Sequence, residues 1–284
     1  EHDAGAALAL GEHGALLVWG AKRGHRVGLK ALAFDPAKLE GTPAPRELEA
    51  TLDAESPALV TRPGGFWLAW ISEAPAAEHA DAGTPNAASD AGARSAGGRS
   101  DGGIRVDAAD ADDGRLVDSG PRVLMALALD GSGKALASPR NVSGPRAHVV
   151  GFEAALLPDG ALSLAFREDD ASPGVESGPP DLARVTLDGA VEHAKIEDED
   201  LSAGLPALMN DEKPGGRLWV ALEGASGGTR VGWLKETGLA LESLVGDRLL
   251  RGADVLAAAN GRLLVGKNRG RAIELEVLEC KTAP

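Results

Sequence analysis

The sequence predicts an all-β fold assembled from five copies of one antiparallel strand unit. Each copy carries a turn glycine, one variable residue and then apolar residues at every second position, as in "GALLVWG" and "GRLWVAL". Alternation with a period of two is typical of a strand with one buried face, and glycine suits a tight turn that needs a positive φ. The five glycines that mark these strands are Gly14, Gly65, Gly160, Gly216 and Gly261.

Each copy is predicted to be a meander of three or four strands. An apolar run precedes the marked strand, as in "FEAALLPD", and a second alternating run follows it, as in "RVLMALALDG". Two of the following runs end in Asp-Gly, a strong hairpin signal. Alignment on the glycines places Leu16 and Val18 at positions equivalent to Leu218 and Val220, each pair on one face of its strand.

The spacing of the copies predicts a β-propeller with five blades. Successive glycines lie 51, 95, 56 and 45 residues apart, and repeats of about 40–50 residues with four strands are typical of propeller blades. The long interval holds one blade plus an insertion. A β-sandwich is the alternative, but it does not require regular spacing. We number the blades 1 to 5 in chain order and predict one domain over residues 1–284.

The chain resembles bacterial β-propeller proteins over nearly its whole length outside the insertion, without matching one family. It lacks the Ser-x-Asp-x-Gly-x-Thr-Trp box of sialidases and the Gly-His and Trp-Asp pairs that recur from blade to blade in WD40 proteins, so no family's functional residues are carried over. The fifth copy stops after its third strand, "AIELEVLE". Five blades are therefore predicted, with six as the alternative.

The insertion, residues 73–121, interrupts blade 2 between its second and third strands. It has no aromatic residue and holds ten acidic residues against four arginines, a low-complexity composition that predicts disorder over 73–102. Its acidic cluster does not follow the Asp-x-Asp-x-Asp-Gly register of a calcium loop, which favours a solvated acidic loop. That cluster consists of Asp107, Asp110, Asp112 and Asp113.

Charge and composition exclude several classes of protein. A net charge of −14 and a pI near 4.9 argue against a nucleic-acid binder, and no apolar run approaches the roughly 18–20 residues that span a bilayer. Cys280 is the only cysteine, so no intrachain disulfide can form. Because the chain starts at Glu1 rather than Met, we interpret it as having lost a secretion signal. The predicted location is secreted, periplasmic or outer-envelope.

The candidate binding residues lie in loops on one predicted face. In a propeller, the loops joining second to third strands share a face with the loops joining successive blades, and we call it the loop face. Blade 1 offers "AKRGHR" and blade 5 offers "GKNRGR", which form one basic sector if the ring closes. Such a sector would attract an anionic ligand or a partner protein. The candidates, with the acidic loop of blade 3, are Lys22, Arg23, His25, Arg26, Lys267, Arg269, Arg271, Glu168, Asp169 and His148.

A binding scaffold is the predicted function, and a propeller-type hydrolase or lyase acting on a carbohydrate or lactone is the alternative. An enzyme of that kind needs paired carboxylates near the channel mouth, for which Glu168 with Asp169 or Asp170 would serve. The inner-strand starts supply few other reactive groups, which favours binding over catalysis. The six histidines show no ligand spacing, and no phosphate or dinucleotide fingerprint is present. We therefore predict no metal and no cofactor.

Overall fold

Alternating apolar residues form strands wherever the sequence places them between turns. The computed structural model describes residues 5–12, 14–23, 26–38, 43–49, 51, 53–73, 121–169, 180–196, 204–210, 218–223, 229–245, 253–259, 262–268 and 272–279. Within these ranges the chain forms nineteen strands and no helix. The strands make five antiparallel sheets, one for each predicted blade.

The first two blades have four strands each, hydrogen-bonded in chain order. Blade 1 comprises β1 (Ala6–Gly11), β2 (Gly14–Arg23), β3 (Arg26–Phe34) and β4 (Arg46–Glu47). Blade 2 comprises β5 (Ala54–Arg62), β6 (Gly65–Glu73), β7 (Arg122–Asp130) and β8 (Arg140–Asn141). The insertion therefore enters between the second and third strands of blade 2, as predicted. Residues 74–120, with the predicted disorder and the acidic cluster, lie outside the described residues.

The remaining blades repeat the same order. Blade 3 comprises β9 (Val149–Leu156), β10 (Leu162–Glu168), β11 (Asp181–Val185) and β12 (Val191–Lys195). Blade 4 comprises β13 (Ala207–Asn210), β14 (Leu218–Glu223), β15 (Thr229–Leu234) and β16 (Leu241–Val245). Blade 5 has three strands in the part of the chain that the structure describes, β17 (Ala253–Ala259), β18 (Arg262–Asn268) and β19 (Ile273–Glu279). The first strands of successive blades contact one another, so they form the inner row of the array.

Apolar clusters between successive blades form the core. Leu16 and Val18 of blade 1 pack with Phe66, Leu68 and Trp70 of blade 2. The opposite face of blade 2 packs against blade 3, blade 3 packs against blade 4, and blade 4 packs against blade 5. Because each sheet alternates its side chains between two faces, an inner blade contributes one face to each neighbour.

Four of the five tryptophans, Trp67, Trp70, Trp219 and Trp233, contribute to these interfaces. Trp67, Trp70 and Trp219 are buried, and Trp219 packs edge to face against Trp233 with ring centroids 5.3 Å apart. The sequence places the tryptophans in second or third strands, which predicts that they pack between blades, and the burial of these three side chains confirms the prediction for them.

The alignment on glycines is offset by one residue between blades 1–2 and blades 3–5. Leu16 and Val18 face the following blade, whereas Leu218 and Val220 face the preceding one. Gly65 is the first residue of its strand, but Gly160 lies in the turn before β10. A change of one residue at the turn moves every following side chain to the other face of the sheet, so equivalent glycines do not give equivalent faces.

Two hairpins show what the glycines do. At Gly65 a Cβ would lie 2.2 Å from the carbonyl oxygen of Leu129, so only glycine permits the close approach of β6 and β7. In the Pro-Asp-Gly turn, Gly160 has a φ of 84°, and its amide donates to the carbonyl oxygen of Leu157 at 2.9 Å. The first glycine is required by packing and the second by backbone conformation.

Candidate functional site

Charged side chains of blades 1 to 3 collect at the loop face, where second strands end, third strands begin and one blade connects to the next. We call this group the polar rim. It contains four cationic side chains and five carboxylates, so the charges within this group are nearly balanced. Its members are Arg26, Asp53, Glu55, Arg122, His148, Arg167, Glu168, Asp169, Asp181 and Lys195.

The first part of the polar rim joins blade 1 to blade 2. Arg26, at the start of β3, donates a hydrogen bond through Nε to the Asp53 carboxylate just before β5. This contact raises the pKa of the guanidinium above its ordinary value, so Arg26 stays charged. The predicted candidate Arg26 therefore has an acidic partner that sequence reasoning did not identify.

Backbone strain marks the same segment. Asp53 and Ser56 have φ values of 54° and 49°, and the register of β5 shifts between Glu55 and Ala58. A bulge with two left-handed residues that are not glycine is uncommon, and such strain is concentrated at functional sites. The bulge re-aims Glu55 at the start of the innermost strand of blade 2.

Glu55 forms the central ion pair of the polar rim. Its Oε2 lies 2.6 Å from Nη2 of Arg122, and both side chains are 29% exposed. The backbone of Arg122 also forms a parallel bridge to His148, which links blade 2 to blade 3. This pair thus lies where two blades meet and is open to solvent on one side.

His148 and the loop after β10 form the part of the polar rim that belongs to blade 3. The Asp169 amide donates to the carbonyl oxygen of His148 at 2.9 Å, and the Asp169 carboxylate lies 2.8 Å from Nη2 of Arg167. The structure therefore brings together two of the predicted candidates, His148 and Asp169. Asp169 thus accepts a charge-assisted hydrogen bond from Arg167.

Glu168 has a different environment from Asp169. Burial raises its pKa above the ordinary value, the neighbouring Asp181 raises it further, and Lys195 opposes the shift. Burial also raises the pKa of Asp181, against the effect of Lys195 and His193. The two side chains therefore form a partly buried pair of carboxyl groups, and the pKa of each is raised. The sequence suggested Asp169 or Asp170 as the partner of Glu168, and the structure adds Asp181.

The other predicted candidates are described only in part. Lys22 is exposed near the end of β2, and the backbones of Arg23 and Lys267 lie in β2 and β18. His25, Arg269 and Arg271 lie outside the described residues. The basic sector shared by blades 1 and 5 therefore stays a prediction.

Six members of the polar rim were missed from the sequence: Asp53, Glu55, Arg122, Arg167, Asp181 and Lys195. A signal for Glu55 was present, because "AESPALV" places a carboxylate within an otherwise apolar inner strand. No such signal existed for Arg122 or Asp181, which look like ordinary charged residues at the ends of strands. Their importance comes from partners that are distant in sequence.

A second concave feature lies on the outer edge of blades 1 and 2. It is a groove of about 570 Å³ between the short strand β4 and the segment connecting β7 to β8. Arg46, Glu49, Lys134 and Leu136 contribute to its lining. Gly133 and Lys134, which follow the end of β7, line the groove, so it lies at the end of that strand opposite the loop face.

Among the described residues, no group of three or more histidine, cysteine, aspartate or glutamate side chains is placed to hold a metal ion. No helix in the described ranges is long and apolar enough to cross a membrane.

Solved structures share this architecture at low sequence identity. A crystal structure of a protein of unknown function from Dyadobacter fermentans DSM 18053 is 14% identical, with 98% of this chain and 79% of that chain covered and a TM-score of 0.55. A neuraminidase-like protein from A/bat/Guatemala/164/2009 is 7% identical, with 96% and 70% covered and a TM-score of 0.50. The fold is a β-propeller.

The propeller has more remote neighbours as well. Trypanosoma rangeli sialidase is 8% identical, with a TM-score of 0.47, and this chain spans 46% of it. No family model matches the propeller sequence, and no curated protein matches it. At these identities the likeness concerns the fold alone.

Proposed function

We propose that this propeller is a binding scaffold that recognises another protein through the polar rim. One observation carries the proposal: ion pairs from three consecutive blades lie on one face, each partly exposed to solvent. Paired charges of both signs fit a partner surface that also carries both signs, because such surfaces steer and orient a partner. The near-neutral rim supports a protein partner better than a simple anion.

The tryptophans also support a protein partner over a sugar. Carbohydrate sites commonly use exposed aromatic rings, and Trp67, Trp70 and Trp219 are buried between blades. The chain has no tyrosine. Recognition at the rim would therefore depend on charge-assisted hydrogen bonds.

The experiment compares two arginines of similar setting. Arg122 is paired with Glu55 at the loop face, while Arg184 is paired with Asp159 and Glu192 at the other end of blade 3. Each Nε is buried without a hydrogen-bond partner among the described residues. Tagged wild type, Arg122→Ala and Arg184→Ala are used to capture proteins from an extract of the source organism, and each captured protein is then purified and titrated calorimetrically.

We expect the captured partner to bind wild type and Arg184→Ala with equal affinity. Arg122→Ala should weaken binding by at least about tenfold, since truncation of a partly buried charge pair leaves its carboxylate unpaired. Equal affinity for all three proteins would overturn the proposal. Equal weakening of both variants would show loss of fold rather than loss of a contact, and circular dichroism of the variants separates the two.

A hydrolase acting on a carbohydrate or lactone is the second candidate, and the Glu168–Asp181 pair is the observation that favours it. A carboxyl group with a raised pKa can act as a general acid while a second carboxyl assists. The test is turnover of aryl glycosides and aryl-substituted lactones by wild type, Glu168→Gln and the control Glu192→Gln. Turnover that Glu168→Gln abolishes and Glu192→Gln preserves would replace the scaffold proposal. The envelope location predicted from the sequence stays a prediction, which cell fractionation can test.

A further inference from the structure

Among the strands that the structure describes, one apolar face of blade 1 has no neighbouring blade. Leu8 and Leu10 of β1 are 59% and 65% exposed. The register places Leu17 and Trp19 of β2 on the same face, opposite Leu8 and Ala6, and both are only partly buried. Leu32 and Phe34 of β3 continue this face. The other face, with Leu16 and Val18, is fully buried against blade 2.

Blade 5 has the complementary arrangement. Ile273, Leu275 and Val277 of β19 are 70%, 62% and 58% exposed, and Leu264 of β18 lies on the same face, opposite Val277. Leu263 and Val265 on the other face are buried against blade 4. Each end of the array therefore leaves one apolar face open.

These open faces are of the same kind as the faces that join the inner blades. Leu17 and Trp19 follow Gly14 at the positions at which Leu68 and Trp70 follow Gly65. Leu68 and Trp70 are 0% exposed because blade 1 covers them. Blade 1 thus offers the face that normally receives a preceding blade, and blade 5 offers the face that normally meets a following one.

Among the described residues, both outer faces are largely apolar, although Lys30 lies opposite Trp19 and Glu47 opposite Lys30 on the blade 1 face. Arrays of stacked repeats need terminal units with a polar outer face to stay soluble as single chains. Among the described residues, each apolar cluster joins two successive blades and none joins blade 5 to blade 1. The chain's own described strands therefore leave both faces available.

We propose that two copies of this chain associate head to tail, with the open face of blade 5 of one copy packed against the open face of blade 1 of the next. The contact continues the series of blade-to-blade interfaces already present four times in the chain. It is heterologous, because it joins two different surfaces, so a dimer retains one free face of each kind and can add further copies. This inference is independent of the polar rim.

The experiment measures mass as a function of concentration by sedimentation velocity for four proteins. These are wild type, Leu10→Asp on the blade 1 face, Leu275→Asp on the blade 5 face, and Leu187→Asp. Leu187 is 51% exposed in the turn between β11 and β12, away from both faces, and serves as the matched control. Since all three leucines are more than half exposed, each variant should keep the fold, which thermal melting at low concentration checks.

Wild type and Leu187→Asp should increase in average mass with concentration, whereas Leu10→Asp and Leu275→Asp should each stay monomeric. An equimolar mixture of Leu10→Asp and Leu275→Asp should form a dimer and nothing larger. This follows because the first variant keeps an intact blade 5 face and the second keeps an intact blade 1 face. If either partner is replaced by a variant that carries both Leu10→Asp and Leu275→Asp, the dissociation constant of the dimer should rise at least about tenfold.

Three results would overturn the proposal. Wild type that stays monomeric over the whole concentration range would show that the faces do not associate. A mixture that stays monomeric would show that blade 5 does not bind blade 1. A dimer of Leu10→Asp alone or of Leu275→Asp alone would show that the interface joins two identical faces.

Discussion

Blade 2 and blade 1 carry closely similar strands, yet their tryptophans have different environments. Trp70 in "GFWLAW" is 0% exposed because blade 1 packs over it, whereas Trp19 in "GALLVW" is only partly buried on the open face of blade 1. The residue type, the strand and the distance from the marker glycine are the same. In a stacked array, burial is set by the neighbouring blade and not by the strand itself.

The largest test of this comparison is truncation of the two tryptophans. Trp70→Ala should lower the free energy of unfolding by about 3–5 kcal/mol, because it opens a cavity between two blades. Trp19→Ala should lower it by only about 1 kcal/mol in dilute solution, because the side chain is already partly hydrated. Urea denaturation measures both. Equal losses would mean that the blade 1 face is covered in the monomer.

A smaller effect separates two hairpin glycines. Gly65→Ala should destabilise the protein by about 3 kcal/mol, since its Cβ would overlap the Leu129 carbonyl oxygen and the strands must move apart. Gly160→Ala meets no atom within 4 Å and adds only the strain of a positive φ, about 1 kcal/mol. Gly65→Ala should therefore have a lower midpoint temperature of thermal unfolding than Gly160→Ala. A reversed order would show that backbone strain outweighs crowding.

Two arginines extend the comparison to polar groups. Arg62 of blade 2 is 7% exposed and donates to the carbonyl oxygens of Pro63 and Leu129, and its burial lowers its pKa. Arg62→Leu should lower the free energy of unfolding by about 2 kcal/mol, because the buried carbonyl oxygen of Leu129 loses a hydrogen-bond donor. Arg262 of blade 5 is 62% exposed in its ion pair with Glu279, and Arg262→Leu should change stability by less than about 0.5 kcal/mol. Chemical denaturation of both variants checks the difference.

The smallest expected effect is the pH dependence of stability that comes from Glu168, at the end of β10 in blade 3. Because the pKa of Glu168 is raised in the folded chain, the folded chain binds more protons than the unfolded chain at pH values between the two pKa values. The contribution of Glu168 to stability is therefore present at low pH. It is lost as the pH rises from the pKa of the unfolded chain to the pKa of the folded chain. Glu168→Gln should stabilise the protein at neutral pH by less than about 1 kcal/mol, and this gain should vanish below about pH 4.

Asp188 provides a control of opposite sign. Its hydrogen bond from Thr186 lowers its pKa, so Asp188→Asn should lose stability at neutral pH and converge with wild type as the pH falls. Thermal melts of both variants from pH 3 to 8 give the comparison. If both variants were more stable than wild type at neutral pH, or both less stable, the assignment of Glu168 as the more buried group would be contradicted.

The strand order of the propeller could be predicted from the sequence, because period-two alternation and turn glycines are local properties. The side of the sheet on which Leu16 or Leu218 lies could not, since one residue more or less in a turn reverses it. For the polar rim, Arg26, His148, Glu168 and Asp169 were predicted from their loops. Glu55 and Arg122 were not predicted, because their pairing joins residues on either side of the insertion.

The hairpin of β6 and β7 has a consequence for how this gene can change. The two strands pair without a shift from Gly65 opposite Asp130 to Glu73 opposite Arg122, so their alignment does not depend on the segment that joins them. Closing a loop of roughly 50 residues costs only about 2 kcal/mol more than closing a tight turn, because the entropy grows with the logarithm of length. This position can therefore gain or lose coding sequence with little selection from the fold, and it is where a recombined domain could enter the protein without disturbing its blades.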